Sequence, residues 1–261
     1  MSATLLYEAT EGLARITIAQ DAKMNAMTFE MWSALPGLIA RASADPAIRA
    51  IVLTGAGEKA FCAGADISQF GERRSDPEAV AAYDHAVAAG MAALAGAEKP
   101  TVALIKGICF GGGFGLALAC DIRLARADAR FRVPAARLGL GYGYEGVKLI
   151  SRKLGPDATA DILFSARILD AAEAERLGVV ARAWAAEAFE TESAAYLDQI
   201  AANAPLTLMA AKRALVELAR PEAERDIDAV AARVSACFAS ADYREGQAAF
   251  KEKRPPRFTG A

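Results

Sequence analysis

The chain contains GICFGGGFGLALACD at residues 107–121 and a second glycine-rich segment, FCAGADI, at residues 61–67. Each segment follows an apolar run typical of a buried strand, and the former continues into an apolar stretch typical of a helix. Glycine permits positive φ and lets a ligand or another backbone approach the main chain closely. Both segments are therefore predicted to be tight turns, either purely structural or shaped for a ligand.

The sequence around these segments repeats one order of predicted elements. Alternating residues near the amino terminus predict a hairpin with Ala14, Ile16 and Ile18 on one face. Helices are predicted over residues 28 to about 42 and about 77 to 97, each followed by a buried strand and a glycine turn. This recurrence favours a layered or spiral α/β domain. A doubly wound nucleotide-binding sheet is the alternative, but GGGFG lacks the lysine of a phosphate loop and no GxGxxG follows the first strand.

Composition restricts the classes of protein and of chemistry. With 261 residues, 54% of them hydrophobic, the chain can bury a substantial core. Its net charge of -2 does not favour nucleic acid or an anionic membrane surface as a partner. The four cysteines include no CxxC pair, which argues for reduced thiols and against a zinc site. The single histidine, His85, lies in a predicted helix and is expected to have no catalytic role.

The amino-terminal end, MSATLLYEAT, does not have the basic region and long apolar stretch of a signal peptide. No uninterrupted apolar run in the sequence approaches the roughly 20 residues of a membrane span. We therefore expect a soluble, cytoplasmic protein.

The two glycine-rich segments and the spacing between them resemble the enoyl-CoA hydratase/isomerase (crotonase) superfamily. The resemblance covers nearly the whole chain, including its end, REGQAAFKEKRPPRF. It implies an α/β fold with a spiral core of repeated ββα units, here residues 1–192. It also implies a carboxy-terminal helical module, here residues 193–261, that forms a homotrimer or a dimer of trimers.

The resemblance further implies an acyl-CoA thioester as substrate, so that coenzyme A is part of the substrate and no separate cofactor or metal is expected. The backbone N–H groups of Ala65 and Gly112 would form an oxyanion hole for the thioester carbonyl. Lys23 would be a candidate cation for a phosphate of coenzyme A, although a solvated surface lysine is the alternative. The implied coenzyme A contacts are Lys23, Asn25, Ala26, Ala63, Asp66 and Ile67.

The chain departs from the family at both catalytic glutamates. Family hydratases use two glutamates to activate water and to protonate the α-carbon, and the matching positions here are Gly115 and Ala135. Other branches use one acidic residue in a later loop, where the nearest candidate is Glu145, two residues after the matching position, Gly143. Glu145 equally fits the first turn of a helix. Tyr142 is a candidate to position water or donate a proton.

Three functions stay open at this point. The first is an enolate-forming enzyme that would be named enoyl-CoA hydratase/isomerase, acting as a hydratase, an isomerase or a decarboxylase. The second is an acyl-CoA-binding protein without turnover. RNA binding, known for one branch of the family, is disfavoured because the equivalent helix is acidic and alanine-rich. The acyl pocket is expected to be lined by the apolar side chains of Phe70, Tyr83, Val87, Met91 and Phe114.

Overall fold

A computed structural model describes residues 3–69 and 76–261 of the chain. Within these residues, ten strands form one six-stranded and one four-stranded sheet. The six-stranded sheet has the order β1-β2-β3-β5-β7-β10, and the four-stranded sheet has the order β4-β6-β8-β9. The strands are β1 (Thr4–Thr10), β2 (Leu13–Ala19), β3 (Ala50–Gly55), β4 (Ala60–Cys62), β5 (Thr101–Ile105), β6 (Ile108–Phe110), β7 (Ile122–Arg126), β8 (Arg130–Arg132), β9 (Leu169–Asp170) and β10 (Arg182–Trp184).

The predicted amino-terminal hairpin is confirmed. Strands β1 and β2 pair antiparallel through a two-residue turn in which Glu11 and Gly12 both have positive φ, as this type of hairpin turn requires. Ala14, Ile16 and Ile18 are fully buried, as the alternation predicts. The remaining neighbours in this sheet, from β2 to β10, pair in parallel.

Ten helices of at least six residues cover the sheets within the described ranges. Helix α1 begins after Thr28, whose side chain accepts a hydrogen bond from Met31 N at 3.3 Å and so caps the helix. Both predicted helices are observed, as α1 and α2. The helices are α1 (Phe29–Ala44), α2 (Pro77–Ala95), α3 (Gly112–Ala119), α4 (Tyr144–Leu154), α5 (Pro156–Ser165), α6 (Ala171–Arg176), α7 (Ala186–Ala201), α8 (Pro205–Leu218), α9 (Ile227–Ala239) and α10 (Ala241–Glu252).

Helix α3 is the centre of the helical packing. It is buried on almost every side, and it packs against α2 and α4, while α2 packs in turn against α1. Every residue of α3 from Gly113 to Ala119 is apolar or glycine, so the helix has no face suited to water. Its amino-terminal end is therefore held in a fixed position.

The carboxy-terminal helices α8, α9 and α10 follow the core. Helix α8 is joined to the core by Lys212, which is 3% exposed and whose Nζ lies 2.7 Å from Asp121 Oδ1. The expected boundary between residues 192 and 193 falls inside α7, and the division into two parts stays a prediction. In the described parts of the chain, no helix has both the length and the apolar character needed to cross a membrane.

Candidate active site

The fold brings the two glycine-rich segments together. Strands β4 and β6 are parallel neighbours, so their carboxyl ends lie at the same edge of the sheet. Gly64 follows the end of β4, and the glycine triplet 111–113 follows the end of β6. A Cβ atom placed on Gly112 would lie 3.6 Å from Gly64 Cα and 3.7 Å from Ala65 N. The main chains of the two segments are thus in contact, as close approach of glycines allows.

The Ala65 amide is directed away from the neighbouring strand segment. Met27 and Ala65 form a parallel bridge in which Met27 N donates to Gly64 O at 2.7 Å and Asp66 N donates to Met27 O at 2.9 Å. Successive amides of an extended segment point to opposite sides. The Ala65 N–H therefore points away from Met27. Gly64 has a φ of 107°, a conformation that other residues rarely adopt.

The Gly112 amide is the first of helix α3. The earliest hydrogen bond of this helix runs from Gly115 N to Gly111 O at 3.1 Å, so Gly112 N–H has no acceptor within its own helix. The aligned peptide dipoles of a helix favour a negative charge at this end. Together, the Gly112 and Ala65 amides can hold an oxygen atom that becomes negatively charged.

Cys62 and Gly113 fix the spacing of the two segments. Gly64 N donates to Cys62 Sγ at 3.4 Å, and the thiol lies 3.6 Å from Gly64 O. Burial raises the pKa of the Cys62 thiol to about 12, so at neutral pH it is a neutral packing group and not a nucleophile. Gly113 lies directly against the Cys62 main chain, where a Cβ atom would overlap the carbonyl oxygen.

Gly113→Ala is expected to lower the free energy of unfolding by about 2 kcal/mol, because the added methyl forces α3 away from the Cys62 backbone. The matched control is Gly112→Ala, since a methyl there meets its neighbours only at 3.5–3.7 Å. Urea unfolding of both variants measures the difference. Equal stability of the two variants would contradict the close packing of Gly113.

At the position of the first family glutamate, Gly115 packs against the side chain of Met91. A Cβ atom on Gly115 would lie 2.6 Å from Met91 Cε and 3.4 Å from its Sδ. The methionine therefore fills the space into which a larger side chain at residue 115 would extend. The position of the second glutamate, Ala135, lies in a short 3-10 helix and is 7% exposed. Neither residue can transfer a proton.

Four of the five expected acyl-pocket residues lie in the described part of the chain. Phe114 is fully buried, Tyr83 is 3% exposed, and Val87 and Met91 are half-buried against the same core. The fifth, Phe70, lies outside the described residues. Helical spacing on α2 places Tyr83, Val87 and Met91 on one face. That face packs toward α1 and α3.

Trp32 is a neighbour of the site that sequence reasoning did not identify. Its Cζ2 atom lies 3.5 Å from the Cβ position of Gly112, and its Cε3 atom lies 3.1 Å from that of Gly90. The helical spacing of residues 28 to about 42 predicted α1, on which Trp32 lies. It could not show which glycines the ring contacts, because those contacts join three separate helices.

Glu145 lies in the first turn of α4, with its side chain 79% exposed and one carboxylate oxygen 3.2 Å from Lys148 Nζ. The prediction that Glu145 lies in the first turn of a helix is therefore confirmed. Tyr142, just before the helix, is half-buried and its ring packs against Gly146. Burial raises the pKa of Tyr142, so its hydroxyl stays protonated at neutral pH.

Lys23, the candidate cation for a phosphate of coenzyme A, forms an ion pair with an acidic partner. Its Nζ lies 2.9 Å from Asp66 Oδ2 and 2.7 Å from Ser68 Oγ, while half of the side chain is exposed. Burial, the largest single influence, raises the pKa of Asp66, but hydrogen bonds from Ser68 and Lys23 outweigh it and leave the pKa below its ordinary value. A phosphate bound by Lys23 would have to share the ammonium group with Asp66.

Asn25 has a structural task at this edge of the site. It is fully buried and has a φ of 55°. Its Nδ2 donates to Ala56 O at 2.8 Å and to Ala60 O at 2.7 Å, and its Oδ1 accepts a hydrogen bond from Gln20 N at 3.0 Å. These bonds tie residues 20–25 to the turn after β3 and to the start of β4, the strand that precedes Gly64. The other expected contacts differ in exposure: Ala26 is 7% exposed, Ala63 is half-buried and Ile67 is 74% exposed.

Comparisons with known proteins agree over the length of the chain. The family model for enoyl-CoA hydratase/isomerase matches residues 8–261. A crotonyl-CoA hydratase of Syntrophomonas wolfei is 32% identical over 256 residues, which are 97% of this chain and 97% of the relative. A carnitinyl-CoA dehydratase of Proteus mirabilis is 34% identical over 259 residues, which are 98% of each chain.

Solved structures show the same architecture. An enoyl-CoA hydratase/carnithine racemase from Magnetospirillum magneticum superimposes with a TM-score of 0.91 at 34% identity, covering 100% of this chain and 97% of that chain. An enoyl-CoA hydratase of Bacillus anthracis gives a TM-score of 0.87 at 27% identity. The match of sequence and fold over nearly the full length means that this chain belongs to the enoyl-CoA hydratase/isomerase (crotonase) superfamily of acyl-CoA enzymes.

Proposed function

We propose that the protein binds an acyl-CoA thioester and stabilises its enolate with the backbone N–H groups of Ala65 and Gly112. The observation that carries this proposal is the 3.7 Å between Ala65 N and the Cβ position of Gly112. Ala65 and Gly112 belong to separate segments that lie close to each other there, and the Gly112 amide is at a helix amino terminus. Such donors keep their protons and need no reorganisation when negative charge develops on the thioester oxygen.

We propose Glu145 as the single acid/base, because Gly115 and Ala135 cannot transfer protons. Support comes from its position at the start of α4, a helix that packs against α3, and from Tyr142 beside it, which could position water. This arrangement favours a reaction that needs one proton shuttle, such as double-bond isomerisation or decarboxylation. If the site hydrates its substrate without the two usual glutamates, the protein would be named an enoyl-CoA hydratase/isomerase.

Glu145→Gln is expected to lower turnover about a hundredfold or more, because an amide cannot exchange a proton with the α-carbon. Lys148→Met is the matched control, since it removes the ion-pair partner at 3.2 Å and leaves the carboxylate in place. The measurement is kcat for each variant on the same thioester. If the glutamine variant kept full activity, Glu145 would have no part in the mechanism.

The second candidate function is an acyl-CoA-binding protein without turnover, and the loss of both family glutamates favours it. One experiment separates the candidates: purified protein is incubated with crotonyl-CoA in deuterated water and the product mass is followed. A 3-hydroxyacyl product would mean hydration without the two glutamates. Deuterium uptake without hydration supports enolate chemistry with a single acid/base. Binding of crotonyl-CoA with neither change on a broad acyl panel supports the binding protein.

We also propose a homotrimer or a dimer of trimers, on the strength of the apolar surface of the carboxy-terminal helices. A groove of about 730 Å³ lies between α8, α9, α10 and Phe258, and Phe250 and Phe238 are 86% and 61% exposed beside it. Apolar surface of this extent is unfavourable in water unless another chain covers it.

Light scattering on the eluted protein is expected to give three or six times the chain mass of 27.3 kDa. The exposed phenylalanines favour a neighbouring copy that covers them, and the family resemblance implies three or six copies. A particle of one chain mass at micromolar concentration would contradict the proposal.

A further inference from the structure

In the described part of the chain, Trp32 carries a buried hydrogen-bond donor without an acceptor. Its side chain is 1% exposed, and within the described part of the chain its indole Nε1 is buried without a hydrogen-bond partner. An indole nitrogen can only donate. Leaving such a group unpaired in the interior is unfavourable, so each native case requires an explanation.

The orientation of the ring places this donor beside the proposed oxyanion hole. The Cε3 edge packs on Gly90 of α2, at 3.1 Å from its Cβ position, whereas Cζ2 lies 3.5 Å from the Cβ position of Gly112. Nε1 and Cζ2 are bonded to the same ring carbon, so the N–H belongs to the side of the ring that faces Gly112. The Gly112 Cβ position is itself 3.7 Å from Ala65 N.

The ring is held in this orientation before any ligand binds. Gly90 has no side chain, which allows the indole to lie directly on α2, and Leu35 Cδ2 packs 3.5 Å from the same Gly90 Cβ position. Trp32 itself is on the second turn of α1, whose start is fixed by the Thr28 cap. A donor that is rigid before binding loses little entropy when it meets an acceptor.

We propose that Trp32 is a specificity-determining residue whose indole N–H donates to a second oxygen of the acyl group. The inference rests on the proposed function, because it takes the thioester oxygen to be bound by Ala65 and Gly112. The two amides already bind the thioester oxygen in this proposal. The acceptor for the Trp32 Nε1–H is therefore a different oxygen, a few bonds further along the acyl chain. The preferred substrates then carry a polar oxygen near the β-carbon, and plain hydrocarbon acyl groups leave the donor unpaired.

The test compares dissociation constants of 3-oxobutyryl-CoA and butyryl-CoA, which differ by one β-carbonyl oxygen that can only accept. Wild-type protein should prefer the oxygenated thioester by about tenfold, the range of one buried hydrogen bond. Trp32→Phe should abolish most of this preference while affinity for butyryl-CoA stays within about twofold. The matched control is Trp184→Phe on β10, the other tryptophan of the chain, which should keep the preference.

A measurement on wild-type protein does not depend on the folding of the Trp32→Phe variant. The two indole N–H signals in a nitrogen–proton spectrum are assigned with the Trp184→Phe protein. Adding 3-oxobutyryl-CoA should move the Trp32 indole proton downfield, as hydrogen bonding requires, and butyryl-CoA should leave it in place.

An equal loss of affinity for both thioesters in Trp32→Phe, or an unchanged preference, would overturn the inference while acyl-CoA binding stands. An indole signal that responds identically to both ligands would also overturn it. If wild-type protein bound neither thioester, the proposed function would fall together with this inference.

Discussion

Replacing Gly112 with proline is expected to lower turnover of the acyl-CoA substrate about 10²- to 10³-fold. The substitution removes one N–H of the proposed oxyanion hole, and loss of one such donor typically costs about 2.7–4 kcal/mol of transition-state stabilisation. Proline is tolerated at the first position of a helix, where the missing N–H has no helical acceptor. The fold should therefore persist, which circular dichroism and thermal unfolding can check.

Gly112→Ala is the control for this prediction, because it adds a carbon atom but keeps the N–H. Its methyl group would contact Gly64 Cα at 3.6 Å and Trp32 Cζ2 at 3.5 Å, distances of ordinary van der Waals contact. We expect a smaller loss of kcat in the alanine variant than in the proline variant. A folded proline variant with wild-type kcat would remove the Gly112 amide from the mechanism.

Lys212→Met is expected to lower the free energy of unfolding by about 3 kcal/mol. The ammonium group is buried and lies 2.7 Å and 2.8 Å from the two carboxylate oxygens of Asp121. Removing one partner of such a pair leaves the other charge without compensation. Thr101 N and Oγ1 also bond this carboxylate, at 2.8 Å and 3.0 Å, and cannot neutralise it.

Two further variants separate charge from packing in that measurement. Lys153→Met is the matched control, since Lys153 Nζ lies 3.5 Å from the Cys120 carbonyl oxygen and interacts with Asp121 only through the charges of the two groups. The Lys153→Met variant should lose clearly less free energy of unfolding than Lys212→Met. The double variant Lys212→Met with Asp121→Asn should recover part of the loss, because the orphaned charge is gone. A loss below about 1 kcal/mol in Lys212→Met would show that the pair does not join α8 to the core.

The sequence was sufficient to predict the elements that depend on local pattern. Alternation predicted the hairpin face of Ala14, Ile16 and Ile18, and helical spacing predicted α1. Pattern alone predicted a tight turn at each glycine segment, and only the family resemblance implied that the Ala65 and Gly112 amides of the two segments act together. Family resemblance supplied the expected fold, which the comparisons confirm.

Contacts between distant parts of the chain were not predictable from pattern. Met91 covers Gly115, and the Trp32 ring bridges Gly90 and Gly112, through packing of helices that lie far apart in sequence. The ion pair of Lys23 with Asp66 likewise joins residues 43 positions apart, whereas the sequence left Lys23 as either a phosphate-binding cation or a solvated surface lysine. Periodicity gives the buried face of each helix, but the partner atom on that face depends on the angle at which two elements meet.

The central claim is that the Ala65 and Gly112 amides polarise a thioester carbonyl, and carbon-13 NMR of a bound acyl-CoA labelled at the carbonyl carbon tests it most directly. Hydrogen bonds to the oxygen withdraw electron density from that carbon. We therefore expect the carbonyl carbon signal to shift downfield when the thioester binds wild-type protein. The shift should be clearly smaller in the Gly112→Pro variant. A bound thioester with the same carbonyl shift as in water would mean that the two amides do not polarise the carbonyl.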